Sequence, residues 1–371
     1  MRVLHINCNY IGTALHQLMV ERLDKRGYEN CVFAPTYDKK LSVITPNENV
    51  LVSECFHKWD RLFFDYKQRK ILRAAEKNYT IADFEVIHAY TLFTDGNCAR
   101  LLSEKYGIPY VVAVRNTDVN SFFRQMPHLR MRGVKTMRKA SAVFFLSEAY
   151  KRQVFEKYVP PKYLPELEAK TYIIPNGIDD FWFTNTPKQE NKIGNTVRLI
   201  YAGRIDRNKN IPTTQKAMQI LRERGYDVSL TVVGKIEDQK VFEKIKSDSY
   251  THCLPAQPKE ALLEIYRGHN IFVMPSFTES FGLVYVEAMS QGLPVIYSEG
   301  QGFDKQFPEG TVGYHVSAHN AEDVADGIER VIKNYSNIVP NTVSSAKVFN
   351  WTEITSKYDR IYQTVLGESG D

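Results

Sequence analysis

The sequence lacks several features that would place it in other classes of protein. It has no run of about 18 apolar residues, which a membrane-spanning helix would need. The apolar stretch at residues 1–7 is too short for a secretion signal and is typical of a first strand. Its five cysteines are scattered and form no CxxC pair, so we expect free thiols in a reducing compartment rather than a metal site. We therefore expect a cytoplasmic protein, either free in the cytosol or peripheral on the inner face of the membrane.

Charge is unevenly distributed along the 371 residues. Residues 1–180 hold 27 Lys and Arg against 20 Asp and Glu, whereas the remainder holds 21 against 23. The excess of positive charge collects in Lys67–Arg73 and in Arg124–Lys139. Such runs form either solvated helix faces or a surface for anionic lipid headgroups or an anionic acceptor, and both interpretations stay open. No nucleic-acid-binding motif accompanies them, so we expect no nucleic-acid partner.

Short apolar strands alternate with amphipathic helices along the whole chain. This alternation predicts an α/β fold with parallel sheets covered by helices on both faces. The pattern restarts after an irregular segment rich in Asn, Asp, Pro and Lys at 176–195, which is predicted to be a linker. The predicted divisions are therefore a first domain at 1–175, the linker, a second domain at 196–350 and a final helical segment at 351–371. Ligands bind such doubly wound sheets at the carboxyl ends of the strands.

Two glutamates eight residues apart are the most informative feature of the second half. Ile271–Met274 is predicted to be a buried strand, and Ser280 is predicted to cap a helix that runs to about Gln291. Glu279 then lies in the loop at the helix start, and Glu287 lies within a strongly apolar helix. Because an unpaired carboxylate is expensive to bury there, we expect a ligand with hydroxyl groups or positive charge to meet it.

A second element follows the predicted strand at 197–202. Gly203 comes directly after this strand, and the cations Arg204 and Lys209 stand beside the start of the next helix. A helix N-terminus with two nearby cations is suited to a diphosphate. The alternative is that both cations are solvated loop residues. If both elements act together, the Glu287 carboxylate can accept hydrogen bonds from two ribose hydroxyls, as acidic residues do in dinucleotide sites.

The stretch from Glu279 to Glu287 resembles the E-x7-E motif of retaining GT-B glycosyltransferases, in particular the GT4 family. Ile174–Asp179, the Gly203 to Lys209 element, and Trp351 with the last helix also resemble segments of that family. The resemblance implies a GT-B fold: two Rossmann-like domains, an interdomain cleft and a C-terminal helix that crosses back onto the N-terminal domain. The N-terminal domain would then bind the acceptor and the C-terminal domain the nucleotide sugar.

The resemblance also implies roles for single residues. The catalytic candidates are Arg204, Lys209 and Glu279, with the two cations stabilising the departing diphosphate. The candidates for donor binding are Gly203, Ser280, Phe281, Gly282, Leu283, Val284, Glu287 and Gly12. No DxD motif is present, since Asp179 and Asp180 are adjacent, so we expect no metal and no cofactor besides the nucleotide-sugar co-substrate.

The chain departs from the family pattern in two loops. Its first loop has a single glycine, Gly12, followed by Thr13, where two or more glycines are common. The stretch around Arg115, Asn116 and Asp118 stands where the family often has a histidine. Arg115 is either a cation near the donor or the partner of Asp118 in a salt bridge, and both interpretations remain. His88, which follows a strand, is expected to be a packed histidine.

These features predict a metal-independent, retaining glycosyltransferase. It would move a sugar from a nucleoside-diphosphate sugar to a glycan or lipid-linked acceptor in surface polysaccharide or glycolipid synthesis, with contact to an anionic membrane as a further expected interaction. The alternatives are a nucleotide-sugar epimerase or phosphorylase on the same architecture and a non-catalytic protein that binds sugar nucleotides. Retention by front-face attack and by a covalent intermediate are both compatible with the sequence.

Overall fold

The computed structural model describes residues 1–13, 15–187 and 192–367. These residues form two compact units. The first comprises Met1–Leu146, Tyr150–Asn176 and the C-terminal segment from Trp351, and the second comprises Ser147–Ala149 and Gly177–Asn350. Part of the predicted linker, 188–191, and the last four residues of the predicted helical segment lie outside the described residues.

The first unit is built on a parallel sheet. Its strand order is β3-β2-β1-β4-β5-β6-β7, with β1 Arg2–Ile6, β2 Glu29–Thr36, β3 Val50–Glu54, β4 Val86–Ala89, β5 Tyr110–Val114, β6 Ala142–Phe145 and β7 Thr171–Ile173. The helices are α1 Leu15–Asp24, α2 Phe64–Asn78, α3 Asn97–Tyr106, α4 Arg130–Lys139, α5 Glu148–Tyr158 and α6 Leu164–Glu168. Every residue of β4, β5 and β6 is buried, as expected for central strands covered on both faces.

The second unit repeats this plan with a smaller sheet. Its strand order is β10-β9-β8-β11-β12-β13, with β8 Val197–Ala202, β9 Val228–Val233, β10 Thr251–Leu254, β11 Ile271–Met274, β12 Val295–Ser298 and β13 Gly313–Val316. The helices are α7 Asp180–Thr184, α8 Ile211–Glu223, α9 Gln239–Lys246, α10 Lys259–Arg267, α11 Leu283–Ser290, α12 Ala321–Lys333 and α13 Tyr335–Ala346. Both sheets are parallel throughout, which confirms the predicted α/β class with two Rossmann-like domains.

The last helix, α14 Trp351–Leu366, belongs to the first unit although it follows the second in the chain. Trp351, Tyr358 and Tyr362 are buried in one cluster with Val86 and Phe144 of the first sheet. The predicted return of the C-terminal helix is therefore confirmed. No helix among the described residues combines the length and the apolar character that crossing a bilayer requires.

Several elements differ from the expectations or are missing from them. The segment at 176–195 is not irregular throughout, because α7 lies within it and buries Trp182 against Tyr266. The sequence pattern predicted no element at β10 or at α13. Pro340 lies inside α13, and a proline within a segment argues against a helix there. The run of positive charge at 124–139 includes α4, whose buried face includes Val134 and Met137. Tertiary packing stabilises these elements where local sequence signals are weak.

Candidate active site

Three loops of the second unit come together at the carboxyl ends of β8, β11 and β12. Asn208, in the loop after β8, fastens the loop after β11: its side-chain amide donates to the carbonyl of Thr278 at 2.8 Å and accepts from the Thr278 N–H at 3.0 Å. Gln301, in the loop after β12, accepts from the Glu279 N–H at 2.9 Å. The sequence therefore places Glu279 in a loop held from both sides.

Lys209 and Glu279 form an ion pair at the centre of these loops. The Lys209 Nζ lies 2.5 Å from Glu279 Oε2, and the two side chains are only 12% and 11% exposed. Glu279 Oε1 accepts from the Ser280 N–H at 3.0 Å. Sequence reasoning proposed Lys209 for the diphosphate and Glu279 for the sugar, but it did not foresee that each would be the other's partner. A cation and a carboxylate from separate strands are thus fixed in one place.

Arg204 is placed differently from Lys209. Its side chain is 65% exposed, and its nearest carboxylate, that of Asp206, is 3.9 Å away. Gly203, just before it, still donates to the Val233 carbonyl of the neighbouring strand at 2.9 Å. The guanidinium therefore stands on a fixed backbone yet is free to reorient toward an anion.

The start of α11 differs from the prediction. The helix begins at Leu283, and Gly282 precedes it in the left-handed region with φ of 80°. Ser280 therefore does not cap this helix, and that prediction is wrong. A Cβ on Gly282 would lie 2.4 Å from the Tyr285 ring, so only glycine makes this turn without a clash. Val284 and Leu283 form the first turn of the helix, and the Phe281 side chain is buried against Phe303 and Phe349.

The loop after β12 crosses very close to Ser280. A Cβ on Gly302 would lie 1.9 Å from the Ser280 carbonyl oxygen, and the Gly302 N–H donates to the Glu279 carbonyl at 3.1 Å. Sequence reasoning did not single out Gly302. The only sequence signal was a glycine in the loop after β12, and a single loop glycine is a weak signal by itself.

Glu287 lies on α11, one turn beyond the loop. No described residue donates a hydrogen bond to its carboxylate or forms an ion pair with it. Burial, and then the negative charge of Asp179, raise the pKa of Glu287 to about 7. The hydroxyl of Tyr266 also has no hydrogen-bond partner among the described residues, and burial, followed by the charge of Glu287, raises its pKa well above the usual range. This part of the second unit therefore offers polar groups that the protein itself leaves unsatisfied.

The candidates Arg115, Asn116 and Asp118 belong to the first unit. The Asp118 carboxylate accepts from the backbone N–H groups of Leu92, Phe93 and Arg115 at 2.9 to 3.2 Å. The Arg115 guanidinium donates instead to the Tyr90 carbonyl and the Asn176 side chain, at 3.4 and 3.3 Å. The proposed side-chain salt bridge between Arg115 and Asp118 is therefore wrong. Asn116 accepts from the Asn120 amide.

The first loop also lies in the first unit. Gly12 ends a short 3-10 helix, is exposed, and has nothing within 4 Å of the position its Cβ would take. Thr13 Oγ1 accepts from the Leu15 N–H at 3.2 Å. Contact of Gly12 and Thr13 with a diphosphate stays a prediction.

His88 is packed, as predicted. Its ring stacks on Tyr90 with centroids 4.3 Å apart, and its Nδ1 lies 2.5 Å from the Tyr362 hydroxyl. Burial holds its pKa well below the usual range, so the ring is neutral. Its Nε2 has no partner among the described residues, so the ring is packed but only half satisfied.

One group of side chains in the described part of the chain could hold a metal ion. Asp304, Glu309 and His315 place their ligand atoms within 4.8 Å of one another. The His315 Nδ1 is hydrogen-bonded to Asp304 at 3.2 Å and lies 3.0 Å from Glu309, whose carboxylate also accepts from the His315 backbone N–H at 3.3 Å. The group does not include any of the catalytic candidates, and independence from metal stays a prediction.

Two family models match the chain in succession. The model described as Glycosyltransferase Family 4 matches residues 17–180, and the model described as Glycosyl transferases group 1 matches residues 183–345. The chain belongs to the GT4-type glycosyltransferases. The second match contains every site candidate of the second unit. Arg115, Asn116 and Asp118 fall in the first match, and Gly12 and Thr13 lie before it.

The curated relatives of this GT4-type chain carry names that refer to inositol compounds. The D-inositol 3-phosphate glycosyltransferase of Paenarthrobacter aurescens is 29% identical over 266 residues, which is 66% of this chain and 64% of that protein. The phosphatidyl-myo-inositol mannosyltransferase of Mycobacterium leprae is 26% identical over 203 residues, or 52% of this chain and 53% of that protein. The chain thus spans less than two thirds of the length of these relatives.

Solved structures share the fold over the whole GT4-type chain. Sucrose-phosphate synthase from Thermosynechococcus elongatus superposes with a TM-score of 0.75 at 18% identity, covering 100% of both chains. Anabaena HepE in complex with UDP superposes with a TM-score of 0.74 at 16% identity, covering 98% of this chain and 100% of that one. These likenesses confirm the predicted GT-B fold.

Proposed function

We propose that this chain is a retaining glycosyltransferase. It moves a sugar from a nucleoside-diphosphate sugar to a glycan or lipid-linked acceptor in surface polysaccharide or glycolipid synthesis. The observation that carries the proposal is the Glu287 carboxylate, with which no described residue pairs, on the helix that follows the loop holding the Lys209–Glu279 ion pair. Two ribose hydroxyls would supply the hydrogen bonds that the protein does not.

The diphosphate would bind near Lys209 and Arg204. Cleavage of the bond between the anomeric carbon and the diphosphate oxygen leaves negative charge on that oxygen, while the acceptor oxygen bonds to the anomeric carbon. Fixed positive charge stabilises the departing anion more than the bound substrate, which lowers the barrier. Lys209 is held in place by Glu279, whereas Arg204 is exposed and would close onto the phosphate.

Glu279 is better suited to positioning the sugar than to attacking it. One of its oxygens pairs with Lys209 and the other accepts from the Ser280 N–H. A carboxylate engaged in this way is a poor nucleophile but a firm hydrogen-bond acceptor for sugar hydroxyls. This supports retention by front-face attack, in which the departing diphosphate oxygen takes the proton of the acceptor hydroxyl.

The names of the curated relatives guide the choice of acceptors. Because they include D-inositol 3-phosphate glycosyltransferase and phosphatidyl-myo-inositol mannosyltransferase, inositol phosphates and their lipid forms belong in the acceptor panel. Simple glycans and other lipid-linked sugars complete it.

Release of nucleoside diphosphate from a panel of nucleotide sugars tests the proposal. Removing the Lys209 cation should lower kcat by roughly 10²–10³, as for other fixed charges that face a developing anion. Arg204→Ala should lower turnover less, because its exposed side chain is not pre-organised. Arg207→Ala is the matched control, since Arg207 is an exposed cation of the same loop, and its turnover should be unchanged.

Other outcomes would reject the proposal. Conversion of the donor sugar without release of nucleoside diphosphate would identify an epimerase. No turnover with any donor and acceptor, despite tight donor binding, would identify a binding protein. Anomeric configuration of the product, read by nuclear magnetic resonance, tests retention separately.

A further inference from the structure

Four large apolar side chains of the first unit are exposed within eight residues of chain. Trp59 is 76% exposed, Leu62 73%, Phe63 66% and Tyr66 53%. We call this set the aromatic ridge. Single exposed apolar residues are ordinary, but four within eight residues form an exposed apolar patch, and such patches mark interaction sites.

The ridge stands on an ordered support. Trp59 and Leu62 lie in a 3-10 helix, Lys58–Leu62, which leads into α2 at Phe64. Asp60, on the inner side of this turn, accepts from the His57 N–H at 2.7 Å and from Lys70 Nζ at 2.6 Å. These bonds fix the conformation of the turn. The exposed side chains of the ridge therefore stand on ordered backbone.

Uncompensated positive charge flanks the ridge. Lys58 and Arg61 lie within the same turn, and Arg69 and Arg73 follow on α2. All four are exposed, and none forms an ion pair with a described residue. The one exposed acidic side chain of the segment, Asp65, is already paired with Arg132. The surroundings of the ridge are therefore basic.

The second run of positive charge, at 124–139, is less available. Arg130 donates to the Phe123 carbonyl at 2.6 Å and stacks on the Tyr158 ring, while Arg132 pairs with Asp65 and stacks on Phe64. Lys135 alone of these three is mostly exposed, and Glu104 lies 3.8 Å from it. Charge at 124–139 would add to binding at the ridge but not define it.

We propose that the aromatic ridge docks the first unit on an anionic lipid bilayer. Trp and Tyr favour the boundary between headgroups and acyl chains because their rings are apolar with one polar group, and Leu62 and Phe63 add purely apolar surface. Lys58, Arg61, Arg69 and Arg73 contact the anionic headgroups. Apolar insertion together with basic flanks is the combination that gives firm interfacial binding. The inference goes beyond the proposed function and does not depend on it.

The distribution of tryptophan makes this inference directly testable. The chain has three tryptophans, and Trp182 and Trp351 are buried at 3% and 2% exposure, so Trp59 is the one that water reaches. Adding vesicles of phosphatidylglycerol and phosphatidylcholine should shift the emission to shorter wavelength, and brominated acyl chains should quench it. Trp59→Phe should abolish the shift but keep most of the sedimentation with vesicles.

Variants separate the ridge from its flanks. Leu62→Glu with Phe63→Glu should reduce vesicle binding at least tenfold, whereas Val348→Glu, an exposed apolar residue of the second unit, should not. Arg61→Gln with Arg69→Gln should weaken binding to anionic vesicles and remove most of its dependence on salt. Thermal unfolding and turnover with soluble substrates should stay unchanged in each variant.

Two results would overturn the inference. One is an unchanged Trp59 emission and no sedimentation with anionic vesicles. The other is a concentration-dependent dimer that the Glu variants dissociate while vesicle binding is absent, which would make a second copy of the chain the occupant of the ridge.

Discussion

Asp118 in the first unit is a buried carboxylate and Glu287 in the second is a half-buried one, and their surroundings are opposite. Burial raises the pKa of Asp118 to about 6 and that of Glu287 to about 7. Asp118 accepts three backbone N–H bonds, from Leu92, Phe93 and Arg115. Glu287 accepts none from any described residue. The first carboxylate holds loops together, whereas the second is left for something outside the chain.

Two glycines show the same contrast. Nothing approaches the position of a Cβ on Gly12, whereas a Cβ on Gly302 would collide with the Ser280 backbone. The loops of the second unit are packed so closely that their geometry depends on the absence of a side chain. The loops around Lys209 and Glu279 are therefore more tightly packed than the first loop of the first unit.

Gly302→Ala should have the largest effect. The methyl group would force the loop after β12 away from Ser280, which we expect to reduce the free energy of unfolding by about 3 kcal/mol or more. It should also abolish turnover. Gly12→Ala should leave unfolding in urea nearly unchanged, and equal losses in the two variants would contradict the contrast between the loops.

Asp118→Asn should come next. The amide oxygen is neutral and replaces only one carboxylate oxygen, so at least one of the three N–H bonds is lost and the others are weakened. Bonds of this kind contribute about 1.5–3 kcal/mol each, and we expect a net loss of about 2–3 kcal/mol of stability. Urea unfolding measures it, and unchanged stability would show that the three bonds do not hold the loops.

Glu287→Gln should separate binding from stability. Removing a half-buried charge that no described residue pairs with should leave the unfolding temperature unchanged or higher, since its desolvation penalty disappears. Donor affinity should fall roughly tenfold, which corresponds to about 1.4 kcal/mol. Calorimetry with the preferred nucleotide sugar checks this, and an unaltered affinity would remove Glu287 from the donor site.

A further effect concerns pH. Because the pKa of Glu287 is raised from 4.5 to about 7 in the folded chain, the folded state binds a proton there that the unfolded chain releases. Its contribution to stability therefore declines as pH rises from about 4.5 to 7. Donor affinity should instead rise between pH 6 and 8, because the ionised carboxylate is the better acceptor for ribose hydroxyls. Glu287→Gln should flatten both profiles, and a Gln variant with the wild-type profiles would assign the titration to another group.

The sequence predicted the architecture well because the signals for it are local. The strands Val197–Ala202 and Ile271–Met274 were predicted with the bounds that the structure has. The helix containing Pro340 was missed because its stability comes from packing rather than from propensity. The start of α11 was placed too early because Ser280 is a good cap by residue type, whereas the left-handed Gly282 makes the turn.

The sequence predicted individual residues of the site but not how they are arranged relative to one another. Spacing suggested that Lys209 and Glu279 both act on the donor. That they meet at 2.5 Å depends on loops 70 residues apart, which Asn208 and Gln301 fasten through contacts that no local pattern encodes. That no described residue pairs with the Glu287 carboxylate is likewise a consequence of the residues around it, and only the fold reveals it.

A crystal structure of the chain with its preferred nucleotide sugar, chosen by calorimetry, tests the central claim most directly. The distances from the Glu287 carboxylate oxygens to the two ribose hydroxyl oxygens are the quantity to measure. We expect at least one within about 3.0 Å, with the diphosphate beside Lys209. A ribose bound elsewhere, with the Glu287 carboxylate still without a ligand, would contradict the account.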